Sequence, residues 1–449
     1  MSEKSLSADA LKGTEFASEP LSYDVRKTRA APPDNQETHD EPASEKPVLH
    51  PGEAPDGGLT AWLVVVAANL ILFSTVGLSN SWGVFQAYYE ENLLRHISPS
   101  AIAWIGSVQY ALMYLPALVT GRLFDLGYFK IPCFAASCVL VMCTFLVAEC
   151  TQYQHFFLIQ GLGIGMCCGI IVGPALVVVS HWFYKKRGLA LSLTAIGASC
   201  GGTMFPVVAQ NLIPSIGFKW TVRVFGFILM VTLGMGNIFL KRRLPPVNVR
   251  GGFFNFKIFR NAAYSIFCIS GIMAFLGLYT ALTYMSVSAV AIGVSKKSSF
   301  YILAIANASS TFGRVSAGLL GDKVGALNTM ATFTAVAGII TFTWPFAKNE
   351  IRLIVISSIY GFSTGGYLAL FTVVAVEMGT IEDAGRRVGM FMSLAAFGAI
   401  AGPPISGAIS TASGGFVDAG YYAGGIIMCA DILLLLARYL HLGSLRGKC

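Results

Sequence analysis

Twelve apolar stretches, each about 20 residues long, fill this chain from residue 60 onward: 60–86, 101–120, 131–150, 155–180, 188–210, 219–240, 262–288, 299–320, 327–347, 352–377, 388–410 and 420–440. A helix of that length crosses the ~30 Å hydrocarbon core of a bilayer. Inside a bilayer only helices and closed barrels satisfy their own backbone polar groups, and long unbroken apolar runs select helices. Composition agrees. Of the 449 residues 55% are hydrophobic and 12% charged, about half the charged share of a soluble domain. The expected fold class is an all-α membrane protein with twelve transmembrane helices.

Residues 1–57 break the pattern, with 12 of the 23 acidic residues, six basic ones and no apolar run. Such a segment buries too little surface to offset its ordering entropy and reads as a disordered tail. It lacks the basic start and apolar core of a secretory signal. The longest connection, 241–261, carries Lys241, Arg242, Arg243, Arg250, Lys257 and Arg260. The expected organisation is a tail over 1–57, six-helix bundles over 58–240 and 262–440, a linker over 241–261 and a short tail over 441–449. Positive loops stay in the cytoplasm. With the N-terminus inside, the inner loops and C-terminus hold 17 basic residues against six outside. Both termini are therefore expected in the cytoplasm, with the plasma membrane as the leading location and the vacuolar membrane as the alternative.

The two sets of six helices match each other. Gly121-x-x-x-Asp125-x-Gly127 follows the second helix and Gly318-x-x-x-Asp322-x-x-Gly325 the eighth, 197 residues later. IQGLGIG at 159–165 opens like IYGFSTG at 359–365, and Gly188, Gly197 and Gly201 align with Gly389, Gly398 and Gly402 at an offset of 201. Parallel repeats of this kind build carriers that rock around a midplane site. Two segments fit the GxSxG hydrolase pattern, 197–201 and 361–365, but both lie inside apolar runs where no strand-turn-helix elbow forms. Walker A and HExxH segments are absent, so no cofactor, metal or nucleic-acid partner is expected and the chain does not read as an enzyme.

Arg314 lies inside the apolar run STFGRVSAGLLGD, 310–322. An intramembrane cation is a functional-site candidate, and its planar fork suits a carboxylate. A guanidinium snorkelling to the interface or paired with another helix is the plainer reading. Asp431, in CADILL of helix twelve, is a candidate for proton coupling, because burial raises a carboxyl pKa. Pairing with Arg438, seven residues on, is its plainer reading. For Asp125 and Asp322 the plainer reading is a turn acid.

Two further motifs narrow the reading. Asp56-Gly57-Gly58-Leu59-Thr60-Ala61-Trp62 opens helix one, and Trp182-Phe183-Tyr184-Lys185-Lys186-Arg187-Gly188-Leu189-Ala190, with Gly197, leads into helix five. With the GxxxD loops, these make the chain resemble the major facilitator superfamily, and within it the fungal branch of the monocarboxylate porter family. Ser192, Thr194 and Ile196 depart from that family's Gly and Ala positions.

The resemblance implies two six-helix halves and alternating access. It implies gating by Asp125 and Asp322, acting on neighbouring helix ends and on Arg122, Arg386 or Arg387. Arg314 matches the family's helix-eight Arg that meets a substrate carboxylate. Proton-coupled members carry an Asp four residues before that Arg, where this chain has Ser310, and a Lys in helix one, where it has Asn80. With both titratable groups missing, a larger or less acidic organic solute is expected, held by Asn80, Ser310, Arg314, Tyr279 and Tyr284. The expected function is a secondary carrier for a small organic acid or secondary metabolite, working as a monomer in the lipid bilayer, with export favoured. The alternatives are an uptake permease for a monocarboxylate or vitamin-like nutrient, and a non-transporting nutrient sensor.

Overall fold

The computed structural model describes residues 54–246, 252, 256–444 and 447–448. Residues 1–53 of the expected tail and most of 247–255 in the expected linker lie outside the described residues.

Ten described segments are long and apolar enough to cross a membrane. One of them, Arg187–Phe239, is 53 residues long, and Gly217 breaks it with φ 79° and ψ 163°. That left-handed backbone suits glycine alone, so the segment is two helices. Lys296–Val324, which carries Arg314 and Asp322, is a further helix of 29 residues outside those ten spans. The helices are α1 (Leu59–Leu93), α2 (Ala101–Asp125), α3 (Lys130–Val147), α4 (Tyr153–Ser180), α5 (187–216), α6 (218–239), α7 (Ala262–Ala291), α8 (Lys296–Val324), α9 (Ala326–Phe346), α10 (Glu350–Glu377), α11 (Ala384–Ser413) and α12 (Val417–Leu442). Several run past their apolar stretch. α1 continues to Leu93 through Glu90 and Glu91, because backbone hydrogen bonding carries a helix beyond the hydrocarbon layer that the apolar run measures.

The same contacts recur between α5 and α1 and between α11 and α7. A Cβ on Gly197 or Gly201 of α5 would collide with the Asn69 or Phe73 carbonyl of α1, and one on Gly398 or Gly402 of α11 with the Ile272 or Leu276 carbonyl of α7. Small residues let helix backbones approach this closely where lipid supplies no hydrophobic drive. The 201-residue offset therefore holds at mid-helix. It fails nearer the helix starts. Gly188 packs against Gly318 and Asp322, and the residue that packs in the same way on Gly121 and Asp125 is Gly385, an offset of 385 − 188 = 197. Gly389, aligned with Gly188 in the sequence, faces the Ala117 carbonyl instead. α11 carries four more residues than α5 over this stretch, about one helical turn, which keeps the same face inward.

Two seams run between helices α1–α6 and helices α7–α12: α5 against α8, and α2 against α11. α12 packs mainly on α7 and α9, with a smaller contact to α11.

Candidate functional site

On α8 the residues Asn307, Ser310, Arg314, Gly318 and Asp322 recur every three or four positions and share one face. That face meets α5. Asn307 Nδ2 donates to the Gly202 carbonyl (3.3 Å), Ser310 Oγ meets Ser199 Oγ (2.6 Å), and Gly318 packs on the Ser192 side chain.

Arg314 sits in the middle of this face and is only 5% exposed. Its Nε is buried without a hydrogen-bond partner, and among the described residues no carboxylate or carbonyl pairs with the guanidinium. The groups acting on its charge are the Tyr114 and Tyr279 hydroxyls and the Cys200 thiol. Those hydroxyls bridge α2 to α7 at 2.9 Å. The Tyr279 ring lies 5.6 Å from that of Tyr110, whose hydroxyl donates to the Ser79 carbonyl (2.9 Å) and meets Asn80 Oδ1 (3.4 Å). Asn80 and Asn307 both approach the side-chain position of Gly202. An unpaired buried cation is costly, and native folds normally pair or neutralise one. The surroundings of Arg314 are polar and hydroxyl-rich, with no anion among the described residues.

The structure thus brings Arg314, Ser310, Asn80 and Tyr279 into one neighbourhood. Tyr284 is elsewhere: its hydroxyl donates to the Pro403 carbonyl (2.9 Å) and its ring lies 6.2 Å from Phe416. Five residues separate it from Tyr279, about 140° around a helix, so the two tyrosines leave α7 on different faces. Tyr110, Tyr114, Ser199 and Asn307 join the group without having been singled out from the sequence. The i, i+4 pair Tyr110 and Tyr114 carried a usable signal. A small apolar cavity lined by Phe275, Leu278, Leu282, Thr364 and Leu368 borders Tyr279.

Asp431 is 6% exposed, and its Oδ1 is buried without a partner. The pairing expected with Arg438 does not form: Arg438 donates to Asn328 Oδ1 and to the Gly447 carbonyl. Seven residues place the two on one face but about 10 Å apart along the axis.

At the end where α1 begins and α12 finishes, two carboxylates cross the seams. Asp125 accepts the Gly385 and Arg386 N–H groups, both at 2.9 Å. Asp322 accepts the Gly188 and Leu189 N–H groups at 2.7 and 2.9 Å. Each acid at the end of one helix thus caps the N-terminus of a helix across the seam, where four N–H groups lack intrahelical partners and negative charge is favoured. Gly121 and Gly385 are in backbone contact beside the first cap, Gly318 and Gly188 beside the second. The cap partners are backbone groups rather than arginine heads. Arg387 donates to the Ala375, Val376 and Thr380 carbonyls and pairs with Asp383, tying down the end of α10. Arg386 lies 3.7 Å from Asp383, and Arg122 is buried beside Asp125.

The two sequence motifs interlock at this end. Asp56 donates its N–H to the Trp182 carbonyl (3.2 Å), and its Oδ1 accepts the Tyr184 and Lys186 N–H groups (2.7 and 3.2 Å). Gly58, with φ 87°, turns the chain into α1, and Gly57 beside it has open space around it. This brings the Trp62 ring to 5.0 Å from Phe183. Lys185 and Lys186 are exposed, whereas Arg187 is buried and donates to the Phe183 carbonyl (3.3 Å). His181 is buried against Phe124; burial first, then Arg242, Arg187 and Arg243 push its pKa down to about 3, so it is neutral.

A family model described as Major Facilitator Superfamily matches residues 63–350. The chain is 34% identical over 416 residues to the aspyridones efflux protein apdF of Emericella nidulans, covering 91% of this chain and 85% of that one. It is 31% identical over 408 residues to the MFS transporter asaE of Aspergillus flavus, covering 90% and 92%. Among solved structures it is similar to the human organic anion transporter MFSD10 (TETRAN), with TM-score 0.66 and 14% identity over 84% of this chain and 98% of that one. At that identity the likeness concerns the fold.

Proposed function

The chain belongs to the Major Facilitator Superfamily of membrane transporters, and we propose that it exports an anionic organic metabolite by alternating access, with Arg314 receiving the solute's negative charge. The observation that carries this reading is the buried guanidinium, with no anion paired to it among the described residues, on the α5–α8 seam. A charge left this way is stabilised when a carboxylate or enolate arrives, and its fork takes such a group in two parallel hydrogen bonds. Asn80, Asn307, Ser310 and the Tyr114–Tyr279 pair supply neutral polar contacts for the rest of the solute. Export is supported by the efflux role in the name of the Emericella relative. The Asp56 and Lys185–Arg187 motifs support placement in the fungal branch of the monocarboxylate porters.

In this reading the Asp125 and Asp322 caps close the cytoplasmic side, both termini face the cytoplasm, and the halves are the bundles 58–240 and 262–440 of a monomer in the plasma membrane. Proton coupling falls to Asp431, the intramembrane carboxyl with a partnerless buried oxygen. Asp431→Asn should remove the acceleration of export by an inward proton gradient while leaving solute affinity unchanged.

The test compares metabolites inside cells and in medium between a deletion strain and its parent. An exporter predicts a solute that accumulates inside the deletion strain and falls in its medium. A solute that the deletion strain leaves in the medium would assign uptake instead. Unchanged profiles with altered nutrient signalling would assign a sensor.

A further inference from the structure

Each cross-seam cap carries a second attachment. The Asp125 backbone carbonyl accepts from Arg242 Nη2 at 3.3 Å, and the same guanidinium donates to the Phe124 carbonyl and lies 4.9 Å over the Phe124 ring. The Asp322 backbone carbonyl accepts from Lys448 Nζ at 2.6 Å. The two cations occupy corresponding places, just beyond the sixth helix of each half: Arg242 follows α6, which ends at residue 239, and Lys448 follows α12, which ends at Leu442. Each folds back to the C-terminus of the second helix of its own half. Both approaches are braced. Arg242 Nε and Nη2 donate to the Leu244 and Pro245 carbonyls at 2.8 and 3.0 Å. The Gly447 carbonyl accepts from Asn328 Nδ2 at 2.9 Å and Arg438 Nη2 at 3.2 Å.

We propose that Arg242 and Lys448 are paired positioning residues which hold Asp125 and Asp322 in register with the helix starts they cap. The final carbonyls of a helix lack intrahelical donors, and a cation there is favourable both as a donor and against the helix dipole. Fixing the carbonyl of an aspartate fixes the direction in which its Cβ leaves the backbone, and so where its carboxylate points. The charge also reaches the carboxylate itself: Arg242 acts electrostatically on Asp125 and Lys448 on Asp322. Every clamp contact ties the second helix of a half to the segment that directly follows that half's sixth helix, whereas every cap contact crosses to the other half. When the halves separate the caps break and the clamps stay, so each aspartate is kept aimed for reclosure. Nothing in this inference depends on the solute or on Arg314.

Hydrogen exchange on the full-length protein in lipid nanodiscs tests it, because the capped groups are themselves amides. Peptides covering 184–191 report the Asp322 cap, and peptides covering 381–388 report the Asp125 cap. Lys448→Ala should speed exchange in the first by about two- to fivefold, the scale of a lost helix-terminus cation, and leave the second unchanged. Lys448→Arg should restore protection. Arg242→Ala should give the mirror result; because Arg242 also braces Leu244 and Pro245, Arg242→Lys provides the milder arm. Asp322→Asn fixes the signal of an open cap. If Lys448→Ala leaves 184–191 protected while Asp322→Asn exposes it, the proposal is wrong. If Lys448→Ala loosens both peptides equally, its effect is general destabilisation and the positioning role is likewise refuted.

Discussion

The caps and the central Arg314 neighbourhood treat charge in opposite ways. Asp125 and Asp322 each accept two backbone N–H groups from across a seam and hold a cation on their own carbonyl. Arg314, on the same helix face as Asp322, has hydroxyls, a thiol and amides around it and no anion among the described residues. A charge whose partners are complete holds a conformation. A buried charge left with neutral neighbours has its binding energy still to be realised. Under the proposed function, the first region closes and the second receives.

Substitutions can break or sharpen this contrast. The largest effect is expected from Gly121→Leu, since any side chain there collides with the Gly385 carbonyl. Backbone cannot yield as a flexible side chain does, so the α2–α11 cap should stay open, transport should fall more than about 100-fold, and the amides of 381–388 should lose protection. Tyr114→Phe removes one hydroxyl of the α2–α7 bridge beside Arg314. It should weaken solute affinity about three- to tenfold, the scale of one hydrogen bond, with little change in maximal rate. Tyr284→Phe is the counterpart away from the site. It removes a bond to the Pro403 carbonyl, so stability should fall by about 1 kcal/mol in a thermal-shift assay while transport is unchanged.

Much of this arrangement was legible in the sequence because the bilayer imposes a length. The twelve apolar runs correspond to twelve helices among the described residues, ten segments of which are long and apolar enough to span, and the break between 188–210 and 219–240 appears as the positive φ of Gly217. The 197-residue offset of Asp125 and Asp322 pointed to paired roles. What they touch was hidden, since backbone N–H groups at the starts of α5 and α11 leave no mark in residue identity. The four-residue surplus in α11 also misaligned Gly188 with Gly389, because one full turn preserves the glycine pattern while shifting its partners. Around Arg314, Asn80 and Ser310 were reached through the family resemblance, as the positions where proton-coupled members carry a Lys and an Asp. Asn307 and Tyr114 were not, because what places them there is a partner on another helix, Gly202 of α5 and Tyr279 of α7. Tyr284 was misplaced for the same reason: hydroxyl chemistry in the right helix says nothing about which face it leaves.

The most direct measurement is solute flux through reconstituted Arg314→Ala and Arg314→Lys proteins, using the metabolite identified by the deletion comparison, with folding checked by size-exclusion elution and thermal melting. The account predicts folded protein with flux reduced about 100-fold in Arg314→Ala, the scale of a bidentate charge-assisted contact, and only partial recovery in Arg314→Lys, whose ammonium lacks the planar fork. Wild-type flux in folded Arg314→Ala would contradict it.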